Sequence, residues 1–132
     1  MEILQPPGWA QPSGYANGVV SSGRTVFVSG QVGWDAQHVF HSDDLVEQVR
    51  QALANIVAIL AEAGAGPGDI VRLNWYLADK GEYNARRKEI GAVYRDLIGM
   101  HYPAMSALQV CGFVEDGARV EIEATAMLPA AA

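Results

Sequence analysis

The residues best suited to acid–base chemistry are Glu121 and Glu123, which stand two positions apart near the C-terminus. They belong to a segment in which hydrophobic and polar residues alternate, as in a β-strand with one buried face. Alternate residues of a strand point to the same side, so both carboxylates are expected on one face of a sheet. Taken alone, this pattern favours a solvent-exposed face.

A second segment of interest begins at Pro103-Ala104-Met105-Ser106, which introduces a run of small and apolar residues up to Phe113. Alternation is weak in this run, which is typical of a strand covered on both sides. In such a strand the side chain of Met105 is expected to pack in the core.

The histidines do not predict a metal site. His38 and His41 are close in sequence, and His101 is the one further histidine. A protein metal site needs three or four converging ligands, so no native metal is expected. Sequences typical of a P-loop, a dinucleotide-binding glycine motif or a nucleophile elbow do not occur.

Size and composition indicate one globular domain covering residues 1–132. Fifteen acidic against nine basic side chains give a formal charge of −6, which disfavours nucleic acids and anionic membranes as partners. The N-terminus has no signal-like segment, and no apolar run is long enough to span a membrane. The single cysteine, Cys111, lies in an apolar stretch and predicts a buried thiol in a reducing cytoplasm.

Hydrophobic periodicity predicts the element order β-β-α-β-α-β-β. The strands are expected at residues 15–21, 25–30, 71–77, 104–113 and 119–127, and the helices at residues 45–63 and 82–98. Ser22-Gly23 and Asp116-Gly117 supply turns for a hairpin at each end of the chain. Asp44 followed by Glu47 resembles a capping box.

This order predicts an α+β fold with one mixed sheet and both helices on one face, because strands joined through a helix tend to be parallel. The other face of the sheet would be bare, which predicts a homo-oligomer. Asn55 lies inside the first helix, where it is a poor helix former. Either its amide bonds a neighbouring loop or its position is exposed.

Several short segments together resemble one known family. Val28-Ser29-Gly30-Gln31, Asn55-Ile56, Pro103-Ala104-x-Ser106 and Val120-Glu121-Ile122-Glu123-Ala124 resemble the Rid family of reactive intermediate deaminases, also called YjgF-like, from about Tyr15 to Leu128. The resemblance implies a chorismate-mutase-like homotrimer whose sheets form a central barrel, with ligand pockets between subunits. It also implies hydrolysis of enamines and imines to a ketone or keto acid and ammonia, without a cofactor.

The chain departs from this family at Met105. In the deaminating members the residue after Pro-Ala is an arginine that binds the substrate carboxylate. Arginine offers a planar fork for two charge-assisted hydrogen bonds, whereas methionine offers a neutral thioether. The resemblance therefore implies that the usual small imino acid is bound poorly.

The resemblance assigns the attacking water to Glu121, with Glu123 as competitor because the match needs one extra residue in the preceding turn. The implied substrate-binding residues are Tyr15, Ser29, Gly30, Trp34, Arg87, Met105, Ser106 and Ala107. Trp34 could instead anchor a surface loop. Where family members often carry an asparagine on the second helix, this chain has Arg87 and Lys88 nearby. These are either a relocated cation or part of a solvated helix face.

Three functions follow from these residues. The first is a cofactor-independent imine or enamine deaminase with an unusual substrate. The second is a protein of the same fold that binds a small metabolite without turnover. The third is a nucleolytic role, as described for some relatives, and the acidic charge argues against it.

Overall fold

A computed structural model describes residues 1–130 of the chain. Its strands are β1 (Glu2–Leu4), β2 (Gly18–Val20), β3 (Arg24–Val32), β4 (Ile70–Leu77), β5 (Ala104–Gln109) and β6 (Val120–Leu128), and its α-helices are α1 (Leu45–Glu62), α2 (Lys80–Ala85) and α3 (Arg87–Leu97). A 3₁₀ turn at Pro67–Asp69 precedes β4. No helix in the described residues is long and apolar enough to cross a membrane.

The main sheet has four strands in the order β3-β6-β4-β5. β4 and β5 are parallel, as expected for strands joined through a helix, and β6 is antiparallel to both β3 and β4. β3 and β4 therefore also run parallel, although β6 separates them. The predicted α+β mixed sheet is confirmed.

The core lies between the helices and one face of this sheet. Leu53, Ile56 and Leu60 of α1 are fully buried, and so is Ile122 of β6. Burying each such side chain stabilises the fold by roughly 1.5–3 kcal/mol. The alternation of β6 matches the prediction, since every second residue from Val120 to Leu128 is buried.

Polar contacts fix the N-terminal end of α1. The Asp44 carboxylate accepts a hydrogen bond from the backbone N–H of Glu47 at 3.1 Å, as an N-cap residue does. Buried Gln48 donates to the carbonyls of Ser42 and Gly117 and accepts from the N–H of Arg119. One amide side chain thus ties α1 to the segment that enters β6.

The loop before α1 is held by the amide of Asn55. Its Nδ2 donates to the carbonyl of Trp34 at 2.7 Å. The prediction that Asn55 bonds a neighbouring loop is therefore confirmed, and the alternative of an exposed position is wrong. The cost of an asparagine inside a helix is offset by satisfying a loop carbonyl that the helix covers.

The predicted N-terminal hairpin is wrong. β2 pairs with β1, while β3 pairs along its length with β6. Gly23 explains the difference, because a Cβ at this residue would lie 1.8 Å from the carbonyl oxygen of Leu128. Because Gly23 has no side chain and adopts a positive φ, β3 can lie close to the end of β6. The glycine is therefore needed for this contact and does not form a hairpin turn between β2 and β3.

The C-terminal hairpin is also wrong. Asp116-Gly117 does form a turn, but β4 lies between β5 and β6 in the sheet. β5 is consequently an edge strand with its residues from Ser106 to Gln109 exposed, not a strand covered on both sides. Its weak alternation reflects small residues at a sheet edge.

Two further predictions need correction. Cys111 is exposed, because β5 ends at Gln109 and the cysteine falls in the following loop. The second predicted helix is broken at Arg86, which ends α2 with φ −113° and ψ 18° and precedes α3. Both predictions were wrong because the hydrophobic pattern of the sequence continues beyond the residue at which the helix or strand ends.

Candidate functional site

Glu121 lies over an irregularity in the pairing of β3 and β6. The register shifts between Val28 and Gln31, and Gly30 stands inside this shift. A Cβ at Gly30 would lie 2.7 Å from Cδ of Glu121, which is shorter than any normal contact. The missing side chain of Gly30 therefore makes the space that the Glu121 carboxylate occupies.

The two glutamates of β6 differ in their hydrogen bonding. Oε1 of Glu123 accepts hydrogen bonds from Nδ2 of Asn74 at 3.0 Å and from the hydroxyl of Tyr76 at 2.5 Å. The bond to Glu123, aided by burial, raises the pKa of Tyr76 and keeps its hydroxyl a donor. The Glu121 carboxylate makes no side-chain hydrogen bond within residues 1–130. One oxygen of Glu123 is thus engaged by side chains, whereas neither oxygen of Glu121 is within residues 1–130.

A cleft of about 250 Å³ surrounds Met105. It brings together five residues implied by the family resemblance: Tyr15, Arg87, Met105, Ser106 and Ala107. Ser13, Gly14, Trp75 and Tyr83 complete its lining. Met105 also packs partly buried against the core.

The neighbouring arginines Arg86 and Arg87 are used differently. The guanidinium of Arg86 bonds Glu89 at 2.7 Å and Asp44 at 2.6 Å, and these bonds raise its pKa. Arg87 donates to the side-chain oxygen of Asn84 and lies 5.5 Å from the ring centre of Tyr83. It forms no salt bridge within residues 1–130. Arg86 is thus a structural cation, and Arg87 is a cation at the wall of the cleft.

The loop between β3 and α1 holds Trp34 away from this cleft. The Trp34 ring stacks on His38 with centroids 4.0 Å apart. His41 pairs with Asp35 at 2.6 Å, and Nε2 of His101 bonds the carbonyl of Ile70. Within residues 1–130 no three histidine, cysteine, aspartate or glutamate side chains gather in a metal-binding arrangement.

The predicted site residues form two groups in one chain. Register pairs Met105 with Leu73, whose side chain faces the helices, while Tyr76 pairs with Glu121 on the opposite face. Ser29 and Gly30 stand on β3 at one edge of the sheet, and the Met105 cleft borders β5 at the other edge. We call these groups the glycine half-site (Ser29, Gly30, Glu121) and the methionine half-site (Tyr15, Arg87, Met105, Ser106, Ala107).

The structure also adds residues that sequence reasoning missed. A neighbouring cleft of about 360 Å³ extends from Met105 along α3. Arg95, Gly91 and Tyr102 line it together with Arg87 and Trp75. Positions 87, 91 and 95 are four residues apart and so share a helix face, which was the one signal available in the sequence.

The same fold occurs in solved structures of related proteins. YyfB of Yersinia pestis, of the conserved Rid protein family, superposes with a TM-score of 0.82 at 35% identity, covering 96% of this chain and 98% of YyfB. Escherichia coli TdcF, solved with bound serine, gives a TM-score of 0.70 at 29% identity over 97% of this chain and 99% of TdcF. The fold therefore defines an α+β protein of the YjgF-like class.

Sequence comparison identifies the family. The model of the family described as Endoribonuclease L-PSP matches residues 9–128. A human protein named 2-iminobutanoate/2-iminopropanoate deaminase is 33% identical over 105 residues, which are 79% of this chain and 73% of that protein. The chain belongs to the Endoribonuclease L-PSP family and has Rid deaminases among its homologues, so the family resemblance is confirmed.

Proposed function

We propose that this protein hydrolyses a reactive imine or enamine to a carbonyl compound and ammonia, with Glu121 as the general base. The observation that carries the proposal is the Glu121 carboxylate, which has no side-chain hydrogen bond within residues 1–130 and lies in the space left by Gly30. The names of the homologous deaminases support the same reaction class.

The reaction needs little beyond positioning and proton transfer, because an imine carbon is already electrophilic. Glu121 accepts a proton from water as the water oxygen bonds to the imine carbon, and the imine nitrogen takes up a proton. In the resulting carbinolamine the amino nitrogen takes up a second proton and the hydroxyl group loses its proton as the C–N bond breaks. Ammonia leaves with the bonding electron pair, and the carbonyl forms.

The active site is proposed to form between copies of the chain. The glycine half-site lies at the β3 edge of the sheet and the methionine half-site at the β5 edge, so one copy does not bring them together. Phe27 and Leu108 are 79% and 55% exposed on the face opposite the helices. A homotrimer with its sheets at the centre would cover these side chains and would place one copy's β5 edge beside another copy's Gly30.

The substrate is proposed to differ from the usual small imino acid. Met105 supplies no charge to a carboxylate, and the nearest free cation in the described part of the cleft is Arg87 on α3. A carboxylate bound by Arg87 would stand further from β5 than one bound at position 105. The aromatic side chains of Trp75 and Tyr83 line the same cleft and would contact a larger apolar group of the substrate.

Glu121→Gln tests this proposal against the matched change Glu123→Gln, each followed by ammonia release from a panel of imines generated in the assay. Removing the base is expected to lower turnover about 100-fold or more without unfolding the protein. Glu123→Gln is expected to reduce thermal stability, because it weakens the bonds from Asn74 and Tyr76, and to affect turnover much less. Equal turnover in Glu121→Gln and the parent would refute the base assignment.

A second candidate is a binding protein of the same fold that performs no turnover. Met105 favours it, since the residue that grips the substrate in deaminating members is absent while an aromatic cleft is retained. Saturable binding of aromatic metabolites, with no ammonia released by the parent from any imine tested, would favour this candidate.

A further inference from the structure

The groove along α3 carries two arginines, Arg87 and Arg95, that form no salt bridge with a carboxylate of residues 1–130. We propose that it binds a substrate in which an aromatic ring lies between two acidic groups, one held by Arg87 and the other by Arg95. This substrate class rests on the proposed function, because it assigns the groove to the same active site. The acidic group at Arg87 would lie closer to Met105.

Helix geometry places both guanidinium groups on the groove. Arg87 and Arg95 are separated by two turns of α3, or about 12 Å along the axis. The position of a Cβ at Gly91, between them, would lie 3.3 Å from Nη1 of Arg95. The Arg95 side chain therefore folds back over Gly91 towards Arg87, which brings the two cations closer over a bare stretch of helix.

The unpaired arginines of the chain differ in where they lie. Within residues 1–130, Arg24, Arg72, Arg87 and Arg95 form no salt bridge. Of these four, Arg87 and Arg95 line the groove. The chain as a whole carries a formal charge of −6. Two uncompensated guanidinium groups on one concave surface of an acidic protein favour an anionic ligand with two acidic groups.

Aromatic rings form the wall between the two arginines. Tyr102 stacks on Tyr94 with centroids 5.4 Å apart, and Trp75 lies 6.4 Å from Tyr94 and 6.3 Å from Tyr83. Such walls favour planar ligands, which gain offset-stacked or edge-to-face contacts. The groove measures about 360 Å³, within the usual range for small-molecule sites.

Isothermal titration calorimetry with three probes measures how much the aromatic ring and the two acidic groups each contribute to affinity. The probes are para-phenylenediacetate with a ring and two acidic arms, phenylacetate with a ring and one arm, and adipate with two carboxylates and no ring. Para-phenylenediacetate is expected to bind the parent protein roughly 10-fold or more tightly than either other probe. Equal Kd values for para-phenylenediacetate and adipate would overturn the aromatic part of the proposal.

Variants of α3 test the cations. Arg87→Gln and Arg95→Gln are each expected to raise the Kd of para-phenylenediacetate roughly 10-fold, whereas Lys88→Gln removes a charge from the same helix outside the groove and is expected to change nothing. Gly91→Leu fills the space between the arginines and is expected to abolish binding without changing either charge. An unchanged Kd in Arg95→Gln or Gly91→Leu would overturn the proposal.

The two proposals fail in different ways. If the binding pattern holds while Glu121→Gln releases ammonia as fast as the parent, the groove is a binding site and the proposed hydrolysis is wrong. If ammonia release depends on Glu121 while Arg95→Gln alters neither the Kd nor the rate with any substrate, the hydrolysis stands and the two-acid substrate is wrong.

Discussion

The glycine half-site and the methionine half-site are built by different means. In the first, the shape comes from the backbone, because a register shift and the missing side chain of Gly30 leave room for Glu121. In the second, the shape comes from side chains of β4, β5, α2 and α3, with Arg87 held beside Tyr83 and Asn84. A site whose shape depends on the backbone tolerates almost no substitution. A site lined by side chains can bind a different ligand after one residue is replaced.

This contrast accounts for where the chain departs from the deaminating pattern. The Ser-Gly-Gln strand and the Val-Glu-Ile-Glu strand that form the glycine half-site are both present. The departure occurs at Met105, on the side-chain-built half. Under the proposed function, substitution there changes which ligand is bound and leaves the position of Glu121 untouched.

The largest effect is expected from Gly30→Ala. The added methyl group would lie 2.7 Å from Cδ of Glu121 and displace the carboxylate. A misplacement of about 1 Å in an active site costs about 100-fold in turnover. Ammonia release measures the effect. Gly112→Ala is the control, since a Cβ there meets no atom within 4 Å. A fully active Gly30→Ala variant would mean that the glycine half-site is not shaped by its backbone.

A smaller change, a gain, is expected from Met105→Arg. The new guanidinium can form charge-assisted hydrogen bonds to a carboxylate, so hydrolysis of 2-iminopropanoate should rise roughly 10- to 100-fold in kcat/KM. Met105→Leu serves as the neutral control and should leave this substrate poorly used. An inert but folded Met105→Arg variant would show that the methionine half-site differs from the deaminating pattern at more than one residue.

The smallest effect separates Arg86 from Arg87. Arg86→Gln removes the bonds to Asp44 and Glu89 and should lower Tm by a few degrees, whereas Arg87→Gln should leave Tm unchanged and act only on ligand binding. Thermal unfolding followed by circular dichroism measures both.

The pH dependence of Tm sharpens this test. The bonds to Arg86 lower the pKa of both Asp44 and Glu89. Their contribution to stability is therefore complete above the unfolded carboxyl pKa of about 4 and is lost as the pH falls through the lower folded values. Arg86→Gln should reduce the loss of Tm on acidification, and an identical acid profile in parent and variant would contradict the structural role of Arg86.

Elements with strict periodicity were predictable from the sequence. The prediction for α1 differs from the structure by one residue at its end, and those for β4 and β6 differ by one residue at their ends. Buried residues recur at fixed spacing in each of them, and Asp44 marks the start of α1. The broken helix at Arg86 and the exposed Cys111 were missed because local composition does not report where a backbone turns.

The residues of both half-sites could be named from their resemblance to a family, but their relation in space could not. Glu121 and Glu123 look equivalent in sequence, since both point to one face of β6. Only the contacts distinguish them, with Asn74 and Tyr76 engaging Glu123 and the glycine of a neighbouring strand making room for Glu121. Arg95 was missed because its place in a groove depends on how α3 packs beside Trp75 and Tyr102.

The sequence by itself determined the secondary structure of the regular elements, the acidic charge and the neutral side chain at position 105, because these depend on the order and type of residues alone. The tertiary structure decided that β3 pairs with β6 and that Glu121 and Met105 face opposite sides of the sheet. It also decided that Arg86 pairs with Asp44 and Glu89, whereas Arg87 forms no salt bridge within residues 1–130. Strand partners and side-chain contacts join residues far apart in the chain, and local patterns carry no record of which distant segments meet.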